Sequence, residues 1–169
     1  MRLRRVNMAV SAPLPPAQFL REPELRRGLE LLYFGHSHLN RSIDRDLARQ
    51  GLGRAHHRAL YFISRKPDLT VSELLSLLAI TKQSLGRVLN ELTERDLVEN
   101  RAGERDRRQR LLRLTDAGKK LEGELFDAWK QKISAAYTHA GPAAVAGYWA
   151  VLEGMIPEEA MPQVEGLRR

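Results

Sequence analysis

The chain contains no cysteine. That excludes disulfides, thiolate metal sites and thiol redox sensing. Aromatic residues are sparse, 6% of the total. No apolar run approaches the roughly 20 residues of a membrane-spanning helix. No secretory signal is expected: Arg2, Arg4 and Arg5 are followed by Pro13, Pro15 and Pro16 rather than by an apolar stretch. The expected location is the cytoplasm. Enzyme signatures are also lacking. There is no Gly-rich phosphate loop, no Gly-x-Ser-x-Gly elbow and no His-Glu-x-x-His helix, so neither catalysis nor a cofactor is expected.

What the chain does have is basic charge and enough apolar residues for one core. Of its 169 residues 43% are hydrophobic, and the formal net charge is +7. A basic balance implies an anionic partner: nucleic acid, an acidic membrane surface or an acidic protein.

The order of elements is legible from periodicity and caps. Residues 1–22 read as a flexible basic arm. Pro23 can open a helix, and Leu25, Leu29, Leu32, Leu39, Ile43 and Leu47 then form a stripe, with His36 filling its gap as a buried histidine bonded to a carbonyl. Gly51 and Gly53 end this element, 23–53, whose length suits pairing with a second helix. A second helix is expected from Arg54 to Ser64, with Leu60 and Ile63 facing inward. Thr70-Val71-Ser72-Glu73 is a capping box for a short helix ending near Leu78. Ala79 and Ile80 form a tight link, and Thr81 caps a longer helix to about Arg95. Leu97–Arg101 and Leu111–Leu114 read as paired strands. Thr115 caps a helix to about Tyr137, Gly141-Pro142 breaks it, and a last helix runs to about Gly154. Residues after Pro157 read as a loose tail. The expected fold class is mainly α with a small β-hairpin wing, a winged helix-turn-helix over 54–114 with helical regions at 23–53 and 115–156.

Two apolar-faced helices joined by a short turn make a helix-turn-helix. The second helix of such a unit offers residues near its N-terminus to the major groove. Here these are Thr81, Lys82, Gln83 and Ser84, with Arg87 one turn on. Gln can pair with adenine and Arg with guanine through two hydrogen bonds each, and the helix N-terminus suits phosphate. Lys82 and Arg101 are expected phosphate contacts. From Arg101 to Arg113 there are six arginines (101, 105, 107, 108, 110 and 113) against Glu104 and Asp106, a net +4 over 13 residues. Like charges repel, and the negative potential of a minor groove relieves that repulsion.

Residues 54–118 resemble the MarR family of winged-helix regulators. The resemblance rests on Leu69-Thr70-Val71-Ser72-Glu73-Leu74, on Ile80-Thr81-Lys82-Gln83-Ser84-Leu85, and above all on the run from Asp106 to Gly118, which ends in a Leu-Thr-x-x-Gly segment. It implies a homodimer that binds duplex DNA at a pseudo-palindromic site. It further implies that Asp106 pairs with Arg108 to stiffen the wing and that Arg107 enters the minor groove. Asp96 stands where the family usually has Gly; Asp tolerates a left-handed backbone better than most residues.

The resemblance also implies a small-molecule effector between the helical region and the DNA-binding lobe. His36, His38, Arg41, His57, Arg58 and Tyr61 are the candidates to line that region. A metal is not expected. His36 and His38 diverge on a helix, as do adjacent His56 and His57, whereas a four-residue spacing would suit chelation. Two other readings stay open: a dimeric winged-helix adaptor that docks an acidic protein, and a nonspecific architectural DNA-binding protein.

Overall fold

The computed structural model describes residues 18–103 and 109–167. The first helix, α1 (Glu22–Arg49), carries Pro23 in its first turn. It ends in a Schellman motif: the Leu52 N–H donates to Leu47 O at 2.9 Å and the Gly51 N–H to Ala48 O at 3.0 Å. Gly51 takes φ +63°, as that ending requires. Then come α2 (Arg54–Arg65), β1 (Leu69–Thr70), α3 (Val71–Leu78) and α4 (Lys82–Glu94). They are followed by β2 (Val98–Ala102), β3 (Arg110–Leu114), α5 (Asp116–Ala140) and α6 (Pro142–Gly154).

The core lies in the lobe and at its junction with α1 and α5. Leu60, Ile63, Leu69, Leu74, Leu78, Leu85, Leu92 and Leu112 are buried, joined by Ile43 and Leu47 of α1 and Leu125 of α5. The sheet is antiparallel in the order β1-β3-β2, with Leu69 opposite Leu112 and Val98 opposite Leu114. The sequence did not reveal β1; two residues are too few for an alternating pattern to register.

The Leu-Thr-x-x-Gly segment has a physical reading here. Leu114 is buried. The Thr115 hydroxyl accepts from the Gly118 N–H at 3.0 Å, capping α5, and donates to Asp96 O at 2.6 Å. Gly118 meets the backbone of Leu97 so closely that a Cβ would stand 2.0 Å from Leu97 O. Leu, Thr and Gly thus lock the root of the wing to the start of α5.

Two expectations are corrected. Residues 158–167 are not a loose tail: Glu158–Ala160 form a 3-10 turn and α7 spans Met161–Glu165. The segment is tied to the lobe by Gln163 Nε2 donating to Ser76 Oγ at 3.1 Å and Arg65 Nη2 donating to Leu167 O at 2.6 Å. Met161 and Val164 of this segment are partly buried. His36 is exposed rather than buried, because nothing among the described residues covers that part of α1. Its ring stands 2.9 Å from Asn40 Nδ2.

Candidate nucleic-acid interface

The helix-turn-helix is fastened by local chemistry. The Thr70 hydroxyl accepts from the Glu73 N–H at 3.2 Å while Glu73 Oε2 accepts from the Thr70 N–H at 2.7 Å, a reciprocal cap for α3. Ala79 then turns the chain at φ +50°, in the left-handed region. Arg58 of α2 donates to Leu78 O at 2.6 Å, covering the end of α3. Thr81 caps α4 by accepting from the Ser84 N–H at 3.2 Å.

On α4 the apolar and polar faces separate cleanly. Leu85, Val88, Leu89 and Leu92 are buried, whereas Thr81, Lys82, Gln83, Ser84 and Arg87 are all exposed. Burying four side chains of this kind contributes on the order of 6–12 kcal/mol, enough to fix which face α4 shows to solvent. Its end is another Schellman motif, with the Leu97 N–H donating to Leu92 O at 2.9 Å. Asp96 stands at the glycine position with φ +54°, as expected of an Asp able to take that conformation.

At the wing, Arg101 is exposed and paired with Glu99 at 2.7 Å. Arg113 is a wing arginine with a different role: it forks onto Asp68, its Nε donating to Oδ1 at 3.0 Å and its Nη2 to Oδ2. That hydrogen-bonded pair raises Arg113 above its ordinary pKa and staples β3 to the turn before β1. Asp68 itself sits at φ +66°. Sequence reading missed this pair because 45 residues separate the partners. Arg105, Asp106, Arg107 and Arg108 lie outside the described residues, and with them the Asp106–Arg108 pair.

The effector candidates separate into two groups. His57 is buried in the seam between α2 and α5, its ring edge-on to Trp129 at 4.5 Å. Burial pushes it down to about 4 from 6.5, so it is neutral at ordinary pH. Tyr61 joins the same seam, 6.2 Å from Trp129 and 6.5 Å from Phe126 between ring centres. Trp129 Nε1 is buried and, among the described residues, has no acceptor. His36, His38 and Arg41 lie exposed on α1, and among the described residues no hydrogen bond or ring contact joins them to that seam. Arg58 is engaged with Leu78 as above. Trp129 belongs to this group, and no local sequence motif singles it out. Among the described residues no group of three or more His, Asp or Glu is arranged to hold a metal, and no helix is long and apolar enough to cross a membrane.

A capped reading helix with an exposed polar face, set beside a β-hairpin, defines a winged helix-turn-helix protein of the DNA-binding regulator class. A sequence profile of the MarR family matches residues 50–109. The chain is 49% identical over 138 residues to the HTH-type transcriptional regulator PetP of Rhodobacter capsulatus, covering 82% of this chain and 83% of that protein. This chain belongs to the MarR family. Its fold is similar to a MarR family regulator from Silicibacter pomeroyi, with a TM-score of 0.67, 21% identity and coverage of 84% of this chain and 94% of that one. It is also similar to mutant MarR from E. coli complexed with operator DNA, with a TM-score of 0.62, 21% identity and coverage of 79% and 96%. It is a transcriptional regulator, not an enzyme.

Proposed function

We propose that the chain works as a homodimer on a pseudo-palindromic duplex. Each copy lays α4 in the major groove, with Gln83 and Arg87 toward base edges and Thr81, Lys82 and Ser84 toward backbone. The wing, with Arg101, Arg105 and Arg107, meets the adjacent minor groove while Asp106 and Arg108 brace it. Residues 23–53 and 115–156 supply the dimer contacts and 54–114 the reading lobe. Half-sites then lie about 34 Å apart, one turn of DNA.

The observation that carries this reading is the exposure of the polar face from Thr81 to Arg87 on a helix whose other face is locked in the core. The E. coli relative in complex with operator DNA supports it. For the dimer, the support is apolar surface left open. Leu25, Leu29, Leu31, Tyr33 and Phe34 of α1 and Tyr148, Trp149 and Val151 of α6 are each about half exposed or more. So many exposed large apolar side chains are consistent with an interaction surface.

Output is modulated by a small molecule in the α2–α5 seam. The buried Trp129 N–H, on a ring that neighbours those of His57 and Tyr61, offers a hydrogen bond to an acceptor on the ligand. Among the described residues, no contact brings the other candidates, His36, His38, Arg41 and Arg58, to that seam.

Titration of the purified protein against its own upstream DNA and against a scrambled duplex tests the proposal. Preference for the upstream fragment, with affinity falling steeply as salt rises, is expected. Arg87→Ala should relax sequence preference, whereas Lys82→Ala and Arg107→Ala should weaken binding and lower the salt slope. Binding to no duplex would instead favour a protein-docking adaptor, and binding without sequence preference an architectural role.

A further inference from the structure

The last turn of α4 is fastened to the bend between α1 and α2 by two side chains one helical turn apart. Arg95, just past the end of α4, donates from Nη1 to Gln50 O at 2.5 Å and from Nη2 to Gly51 O at 3.3 Å. Its guanidinium thus covers carbonyls at the C-terminal end of α1, where the helix dipole is negative. Four residues earlier, Glu91 Oε2 stands 2.9 Å from His56 Nε2 on α2. The other nitrogen of that ring, Nδ1, accepts from the Gly53 N–H at 3.1 Å. Nδ1 therefore lacks a proton and Nε2 carries one, which it donates to Glu91. One histidine ring joins the backbone before α2 to the side of α4.

The bend is shaped to receive the arginine. Gly51 turns at φ +63°, and a Cβ there would stand 3.4 Å from Arg95 Nη2. A side chain at 51 would both strain the backbone and crowd the fork.

These contacts differ from ordinary surface pairs in what they connect. They leave the reading face from Thr81 to Arg87 untouched and grip the opposite end of the same helix. α1 runs on from this bend into the open apolar arm. We infer that Arg95, supported by Glu91 and His56, is a positioning residue that holds α4 at a set orientation relative to α1 and so governs the half-site spacing the protein accepts. The inference rests on the proposed DNA reading only for its second half.

The absence of native cysteine makes the test direct. Spin labels on cysteines placed at exposed Arg45 of α1 and Asn90 of α4, diluted with unlabelled full-length protein, report the intrachain α1–α4 distance without DNA. A single narrow distribution is expected, widening in Arg95→Ala and partly in Arg95→Lys, whose ammonium cannot fork onto two carbonyls. Circular dichroism melting of each variant shows that the fold is kept; Glu91→Gln, which retains an acceptor for His56, is the mild control. In parallel, duplexes with half-sites moved closer or farther by one base pair are titrated. Arg95→Ala should lose the preference for the best spacing by about tenfold, comparable with the cost of one mismatched base pair, while Arg95→Lys loses less. An unchanged distance distribution in Arg95→Ala overturns the inference. So does a widened distribution with the spacing preference intact. If the unsubstituted protein binds no duplex, the DNA reading fails, and the distance measurement still decides whether the clasp holds α4.

Discussion

The lobe and the helical arms are built from the same residue types and end in opposite states. In the lobe, leucines of α2, α3, α4 and the sheet close over one another, and Leu60, Leu74 and Leu92 are fully covered. In the arms, leucines at the same helical spacing stay open: Leu25 is 52% and Leu29 66% exposed. Among the described residues α6 buries none of its side chains, although Tyr148, Trp149 and Val151 all belong to it. One stripe crosses the boundary, open at Leu25 and Leu29 and buried at Ile43 and Leu47. An apolar stripe states that a face needs covering; it does not state whether the cover comes from the same chain. Where it does, the lobe is complete, and where the described residues supply no cover, the surface stays open, as the proposed dimer requires.

The largest expected effect breaks the arms and spares the lobe. If the proposed dimer forms through the arms, Leu29→Glu with Val151→Glu should abolish it, seen by light scattering, and weaken operator binding by about a hundredfold or more, roughly 3 kcal/mol. The lobe should still unfold cooperatively. A dimer that survives both charges would relocate the interface.

Next, Gly118→Ala should harm the lobe and not the arms. The added methyl group would meet Leu97 O at 2.0 Å. Overpacking of this kind costs about 1–3 kcal/mol or more, and denaturant melts should show it. A variant as stable as the parent would mean that α5 can shift away from the wing root.

The seam between the two regions responds to pH. His57 titrates near 4 when folded against 6.5 ordinarily, so the unfolded chain takes up the proton first as pH falls. The stability due to the neutral ring is complete above pH 6.5 and is lost between there and about 4. The loss is on the order of 2 kcal/mol. His57→Gln should flatten that part of the pH profile, and an unaltered slope would assign it to other groups.

The smallest effect is a gain. Ala79 sits in the left-handed region at φ +50°, which costs an L-residue about 1–2 kcal/mol. Glycine removes that strain but adds freedom to the unfolded chain, so Ala79→Gly should stabilise the lobe by about 0.5–1 kcal/mol in chemical denaturation. A loss would show that the Ala79 methyl group packs usefully.

Local chemistry was legible before the fold was known. Thr70, Thr81 and Thr115 each cap the helix read from the sequence, because a cap joins a hydroxyl to a backbone group three residues away. The burial of Leu60 and Ile63 followed from helical spacing. What stayed hidden were pairings between distant surface residues. Arg113 with Asp68, Arg95 with Gln50 and Gly51, and His56 with Glu91 depend on which elements come to lie side by side. No local pattern marks Arg113 as a staple and Arg101 as an exposed cation, since both belong to one arginine run. The segment from Glu158 to Glu165 was misread for a related reason. Its few apolar residues are too short a signal alone and gain meaning only once Ser76 and Arg65 are beside them.

The small sheet carries a safeguard against uncontrolled self-assembly. Its two outer strands leave hydrogen-bonding groups at the margin, which in longer and more apolar strands recruit a neighbouring chain. Here one margin, β1, is two residues long, and the other, β2, carries Glu99 and Arg101 over a length of five. Short length and charge discourage strand-to-strand stacking. A protein with exposed leucine and tryptophan on its arms can thus reserve stickiness for those arms, because its sheet offers a second copy little to extend.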